Sequence, residues 1–267
     1  MVSWPEAVAR ISSGGGPALD VQHARFKIRR GSPIIVMGPS GSGKTRLWSH
    51  LTQNSPPDQM SVSTDDGYLV RRNRQAHSII TIPGQFSKTR FFDTDDLFGS
   101  ETRIEGVIFV ASYGYDRVWT NQDVVASWLE SYDLETLRQR QMRNELDKFS
   151  DLCRLILQKR DLALPDSQPK WLLVVVNKLD LFWSSSEDAR KYYQVGNDGD
   201  FGARAATLMQ QLGTAMNFQI LPVAALPGDY AFNSSRGSLT QTSFLNSDQC
   251  NTSVSCLVET LGELCNG

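Results

Sequence analysis

The sequence predicts an α/β fold with a mostly parallel central sheet covered by helices on both faces. Three observations predict it. The apolar run Pro33-Ile34-Ile35-Val36-Met37 leads directly into Gly38-Pro39-Ser40-Gly41-Ser42-Gly43-Lys44-Thr45, and the residues from Arg46 to Leu51 contain no helix breaker, which is the order strand, glycine loop, helix. Three more apolar runs, Gly106 to Ala111, Trp171 to Val176 and Phe218 to Val223, are continuous rather than alternating, as strands buried on both faces are. Polar, helix-compatible stretches separate them, and the β, α, β succession demands parallel pairing.

Taken in order, Trp4 to Ile11 reads as a short amphipathic helix, and Ser12-Ser13-Gly14-Gly15-Gly16-Pro17 as a joint, so residues 1–17 are expected to be a flexible segment ahead of one domain at 18–267. Val21 to Ile28 reads as a strand leading toward the glycine loop. Asn54-Ser55-Pro56-Pro57-Asp58 breaks the chain after the loop's helix, and Gly67 to Arg71 with His77 to Ile82 is expected to form a hairpin. Arg71, Arg72 and Arg74 make a basic cluster there, of the kind that protects an edge strand or contacts an effector or acidic lipid. Between the Gly106 and Trp171 runs, Met142, Leu146, Phe149, Cys153 and Ile156 recur in alternating steps of four and three residues, one apolar stripe on a long helical insertion at about 121–160. Asn233 to Gln249 reads as a polar, serine-rich loop, and residues 254–264 as a terminal helix.

Bulk composition narrows the function. A net charge of -2 and a pI near 5.9 argue against a broad nucleic-acid surface. No run of eighteen apolar residues exists to span a bilayer, and Cys153, Cys250, Cys256 and Cys265 match no zinc spacing, so a cytoplasmic protein is expected.

The chemistry starts at the glycine loop. Glycines let successive backbone N–H groups turn inward around a polyphosphate, and the helix that follows adds its partial positive charge. Gly38, Ser40, Gly41, Ser42, Gly43 and Arg46 are therefore candidate nucleotide contacts, Lys44 a point charge for the outer phosphates, and Thr45 a ligand for magnesium. Such a loop does not separate ATP from GTP. A second motif, Asn177-Lys178-Leu179-Asp180, closes the buried run at Val176, where ligands bind in parallel sheets. Asp180 can accept from the ring N–H and exocyclic amine of guanine, the Lys178 stem can lie along a base, and Asn177 can tie this loop to the first.

Together these residues resemble the TRAFAC class of GTPases, the Ras-like and translation-factor-like proteins, over about Ile34 to Leu226. The resemblance implies a P-loop GTPase fold. It also implies that Gly84 contacts the γ-phosphate and Gln85 orients water, with Lys44 as the third catalytic residue; that Thr64 closes on magnesium beside Thr45; and that Ala224, Ala225 and Leu226 offer main chain to the base. Thr81 stands where that family carries an aspartate, which implies weaker magnesium support and slow turnover. The expectation is a GTPase converting GTP to GDP with Mg2+, a molecular switch for an effector or assembly protein. The alternative is a guanine-nucleotide-binding assembly subunit that does not hydrolyse. An ATPase or kinase is set aside, since the transporter signature Leu-Ser-Gly-Gly-Gln occurs nowhere.

Overall fold

The computed structural model describes residues 1–14, 32–47, 71–72, 75–76, 79–82, 98, 103–117, 133–162, 167–197, 199–213, 216–234 and 237–266. The expected strand at 21–28, Arg74 of the basic cluster, Thr64, Gly84 and Gln85 lie outside these residues.

A five-stranded parallel sheet organises the rest. Its strands are β1 (Ile34–Met37), β4 (Ile79–Thr81), β5 (Gly106–Ala111), β6 (Trp171–Val176) and β7 (Asn217–Pro222), in the spatial order β4, β1, β5, β6, β7. Every neighbouring pair is parallel, with Ile34 opposite Ile79 and Gly106, Gly106 opposite Trp171, and Trp171 opposite Asn217. The β1, β5 and β6 residues are buried throughout, as their unbroken apolar runs require. Successive side chains alternate between two cores. Ile35, Met37, Val107, Phe109, Leu172 and Val174 enter one, with helices α2 (Leu134–Leu162), α3 (Ser186–Tyr193) and α4 (Asp200–Leu212). Ile34, Val36, Ile108, Val110, Leu173 and Val175 enter the other, with α1 (Trp4–Ser13) and α5 (Ser247–Asn266).

The stripe on α2 does what its period dictates. Phe149 meets Phe109 of the sheet edge-on at 5.2 Å between ring centroids and stacks on Phe201 of α4 at 4.1 Å, which locks two helices onto one strand. The helix begins at Leu134, and residues 118–132 are outside the described part, so the expected start near Asn121 is not represented.

Four local readings change. Ile79–Thr81 is an arm of the central sheet, parallel to β1, and the antiparallel pair is instead the two-residue match of β2 (Arg71–Arg72) with β3 (Gln75–Ala76). Ile82 N–H also donates to the Val36 carbonyl at 2.9 Å, so this stretch continues alongside β1 rather than folding back on itself. The serine-rich stretch holds a hairpin, β8 (Tyr230–Ser234) with β9 (Gly237–Gln241), where Tyr230 faces Gln241. The terminal helix starts at Ser247, seven residues before Val254, because its first two turns bury Cys250 and Ser253 among polar residues that carry no apolar signal. The N-terminal segment is not loose at its start: α1 is capped by the Ser3 hydroxyl, buries Trp4, Ala7 and Ile11, and ties Arg10 to Glu259 of α5 at 2.7 Å.

Among the described residues no helix is long and apolar enough to cross a membrane, and no cluster of three or more His, Cys, Asp or Glu side chains could hold a metal ion.

Candidate nucleotide site

The glycine loop sits at the carboxyl end of β1, against the segments that follow β5 and β6, and turns into a helix over residues 44–47, where Leu47 N–H donates to the Gly43 carbonyl at 2.9 Å. Two glycines show why no side chain fits. Gly41 has φ +85°, and a Cβ there would stand 2.4 Å from the Arg117 carbonyl oxygen; Gly43 has φ +92°, and its Cβ would stand 2.5 Å from Asn177 Nδ2. The loop is thus pressed from both sides by the segments that follow β5 and β6. A main-chain bond completes the first contact, Arg117 N–H donating to the Gly41 carbonyl at 3.1 Å.

Lys44 is buried and donates to the Gly38 carbonyl at 2.8 Å and the Pro39 carbonyl at 2.6 Å, so its ammonium is held over the loop's mouth. The Ser42 hydroxyl donates to Pro39 at 3.0 Å and stabilises the same turn. Thr45 and Arg46 are exposed at the start of the helical turn. The cradle therefore suits a polyphosphate: small residues around its rim, one buried cation and a helix start. An exposed threonine hydroxyl beside that cation suits a phosphate-bound magnesium ion.

Asn177 and Lys178 are brought to the loop, each in a different way, and Asp180 is not. Asn177 is buried; its Nδ2 donates to the Ser42 carbonyl at 3.0 Å, and its Oδ1 accepts from Ala225 N–H at 3.3 Å, so it links the glycine loop to the segment after β7. Lys178 adopts φ +64° and donates to the Gly41 carbonyl at 2.8 Å and to the Tyr115 carbonyl. Burial pulls its ammonium down to about 8. Asp180 is turned inward. Its Oδ2 accepts from Gly228 N–H at 3.2 Å, its main-chain carbonyl accepts from Phe244 N–H at 2.8 Å, and burial pushes its carboxyl up. The amides of the next segment are likewise engaged within the chain, Ala224 N–H with Ser253 Oγ at 2.9 Å and Ala225 N–H with Asn177, while the Leu226 side chain is exposed.

Sequence reasoning missed a polar cluster beside these residues. After β5 the chain runs Ser112-Tyr113-Gly114-Tyr115-Asp116, and Glu145 of α2 reaches into it. Glu145 Oε1 accepts from Ser112 N–H at 2.8 Å and Gly114 N–H at 3.1 Å, and Oε2 accepts from the Tyr193 hydroxyl at 2.6 Å. The only sequence signal was a glutamate on the inward side of an otherwise apolar stripe, at Glu145 beside Leu146 and Phe149.

Comparison with known proteins decides the family. The family model described as "ABC transporter" matches residues 21–167, more than half of the chain, and that range includes the glycine loop, β1, β4, β5 and α2. The phosphate import ATP-binding protein PstB 2 of Natronomonas pharaonis is 30% identical over 90 residues, which is 33% of this chain and 32% of that protein. This chain thus aligns with about a third of its relative's length. Among solved structures, the signal recognition particle receptor SRb-GTP/SRX complex from Chaetomium thermophilum aligns over 74% of this chain and 92% of that one at 16% identity, with a TM-score of 0.40, too distant to bear on function.

These matches overturn the guanine reading. The TRAFAC resemblance, the P-loop GTPase fold, GTP hydrolysis to GDP, the switch role, and guanine nucleotide as substrate and partner all give way to the ABC transporter match. The physical reason is local. A glycine loop serves ATP and GTP alike, so the choice of base rested on a four-residue turn at 177–180, beyond the matched range, whose carboxylate the structure shows bonded to Gly228. The roles given to Gly84, Gln85 and Thr64 came from that resemblance and lose their basis with it. The ATPase reading set aside for want of Leu-Ser-Gly-Gly-Gln is the one the matched sequence supports, and the chain is a P-loop NTPase that belongs to the ABC transporter family.

Proposed function

We propose that the chain binds Mg·ATP at the loop Gly38 to Thr45 and hydrolyses it as the ATP-binding subunit of a transporter, on the cytoplasmic side of a membrane-embedded permease. The observation that carries the reading is the cradle itself, with Lys44 buried and aimed across two loop carbonyls between glycines that tolerate no Cβ. Family membership supplies the choice of ATP, and the relative's name supplies the class of assembly.

In this reading the N–H groups of residues 41–45 bind the phosphates, and Lys44 exchanges its two carbonyl acceptors for phosphate oxygens, trading neutral for charge-assisted hydrogen bonds. Thr45 would hold the magnesium ion, which offsets phosphate charge. Asn177 and Lys178 act behind the loop: they hold the Ser42 and Gly41 carbonyls outward so that the neighbouring N–H groups face the ligand. Preorganised donors of this kind stabilise the charge that builds on the phosphates during transfer.

The test is calorimetric titration of the protein with ATP and GTP, each with magnesium and with chelator, followed by phosphate release. Tight binding of ATP that weakens with chelator and is lost in Lys44→Ala supports the reading. Preference for GTP overturns it. Because Leu-Ser-Gly-Gly-Gln is absent from the sequence, binding and turnover are measured separately.

A further inference from the structure

We infer that Glu145 of α2 and Tyr193 of α3 are positioning residues for the glycine loop: together they take up three successive main-chain N–H groups of the segment after β5, and that segment holds Gly41 in place. The inference deepens the nucleotide-binding reading and rests on it for its functional meaning.

The hold starts from one bonded pair of buried side chains. The Tyr193 hydroxyl donates to Glu145 Oε2 at 2.6 Å and accepts from Tyr113 N–H at 3.1 Å, while Glu145 Oε1 accepts from Ser112 N–H at 2.8 Å and Gly114 N–H at 3.1 Å. β5 ends at Ala111, so these three donors have no ladder partner, and a buried N–H left unpaired is costly. The pair also secures a backbone that few residues accept: Tyr113 takes φ +51°, in the left-handed region that side chains disfavour.

The same face of α2 finishes the docking. Arg138, Gln141 and Glu145 follow one another at steps of three and four residues, which sets them on one side of the helix. The Arg138 guanidinium lies over the Tyr113 ring at 4.7 Å from its centroid, and Gln141 Nε2 donates to the Asp116 carbonyl at 2.7 Å, which also accepts from the Tyr230 hydroxyl at 3.1 Å. The Asp116 carboxyl, which burial and then the charge of Glu145 push up to about 7, is not part of the hold; its Oδ1 accepts from the Ser112 hydroxyl at 2.8 Å.

The docked segment then reaches the loop at a single atom. Arg117 N–H donates to the Gly41 carbonyl at 3.1 Å, and Lys178 Nζ donates to the same carbonyl at 2.8 Å while it also donates to the Tyr115 carbonyl. The Gly41 carbonyl is thus drawn outward by one donor that belongs to the segment and by one ammonium that the segment steadies. Release of residues 112–114 lets both donors shift, and the loop's N–H groups lose the fixed direction that a polyphosphate needs.

The test reads the loop against the rest of the chain. Amide hydrogen exchange over residues 38–47, melting temperature and Mg·ATP affinity are measured for wild type, Glu145→Ala, Glu145→Gln, Tyr193→Phe and Leu152→Ala, the last at a buried apolar position of α2 that holds no main-chain donor. Glu145→Ala is expected to speed exchange in the loop about tenfold and to weaken Mg·ATP binding about tenfold. Tyr193→Phe frees the Tyr113 N–H alone and speeds exchange about threefold. Glu145→Gln keeps an acceptor oxygen for Ser112 and Gly114, so exchange and affinity stay within about twofold of wild type. Leu152→Ala melts at least as low as Tyr193→Phe yet leaves loop exchange and affinity within about twofold, which separates positioning from general loss of stability. Loop exchange in Glu145→Ala no faster than in Leu152→Ala overturns the inference, as does a Glu145→Gln loop that exchanges as fast as that of Glu145→Ala. If Glu145→Ala fails to fold, Tyr193→Phe against Leu152→Ala decides in its place. If exchange behaves as expected and wild type does not bind ATP, the ATP reading fails and the hold on the loop stands. If wild type binds ATP and Glu145→Ala binds it equally well, the positioning role fails and the ATP reading stands.

Discussion

Asn177→Ala tests the loop's construction most directly. One amide, 3% exposed, satisfies the Ser42 carbonyl on one side and the Ala225 N–H on the other, and truncation leaves both without a side-chain partner. Each orphaned buried group costs about 1–3 kcal/mol, so the pair is worth about 2–6 kcal/mol if water does not refill the space. Against a total of about 5–15 kcal/mol, and at about 2–4 °C per kcal/mol for a chain of this size, the melting temperature should fall by about 4–24 °C. Asn177→Asp separates the two bonds. It keeps an acceptor for Ala225 but sets a carboxylate against the Ser42 carbonyl, so it should weaken Mg·ATP binding more than Asn177→Ala does. Differential scanning calorimetry gives the first number and titration calorimetry the second. An Asn177→Ala protein that melts within about 1 °C of wild type and binds ATP within about twofold refutes the account of this side chain as the tie between loops.

Lys44→Ala should lower Mg·ATP affinity by about a hundredfold or more, since two charge-assisted bonds are lost, and titration calorimetry reads it directly. Gly41→Ala forces a side chain into the Arg117 main chain at φ +85°; the strain and the lost bond together cost about 2–3 kcal/mol, visible as a shifted denaturant midpoint. Asp180→Asn should leave ATP affinity within about twofold, because its carboxylate bonds within the chain; a gain of xanthosine triphosphate binding would contradict that. The raised Asp116 carboxyl contributes stability that is fully present below its unfolded value and is lost as pH rises through about 7, so denaturation midpoints of wild type should fall over that window relative to those of Asp116→Asn.

Much of the architecture was legible because buried parallel strands announce themselves. The runs at Gly106 and Trp171 are apolar at every position, which only two-sided burial explains, and the loop Gly38 to Thr45 carries its own mechanism in its glycines. Ile79–Thr81 misled because a three-residue strand beside polar sequence has too little pattern to tell a sheet edge from a hairpin arm. The hairpin at Tyr230–Gln241 was masked by serines and asparagines that read as loop. The nucleotide was misread for a different reason. Asp180 was judged by its place at a strand end, and sequence cannot say whether a carboxylate there faces a ligand or, as here, accepts from Gly228. The Glu145 and Asp116 cluster was invisible because its members lie 29 residues apart and meet only when α2 crosses the sheet.

The parallel sheet also dictates when the glycine loop can exist during folding. Its residues are consecutive, yet it is held by Arg117 and Asn177, from segments that follow β5 and β6, strands joined to β1 through long crossovers. Contacts of such sequence separation form late, after the entropy of closing those loops has been overcome. The loop should therefore be one of the last structures to set although it is among the most local in sequence. A polyphosphate that binds it engages only chains whose sheet is already assembled, and so draws the folding equilibrium toward the finished domain by mass action.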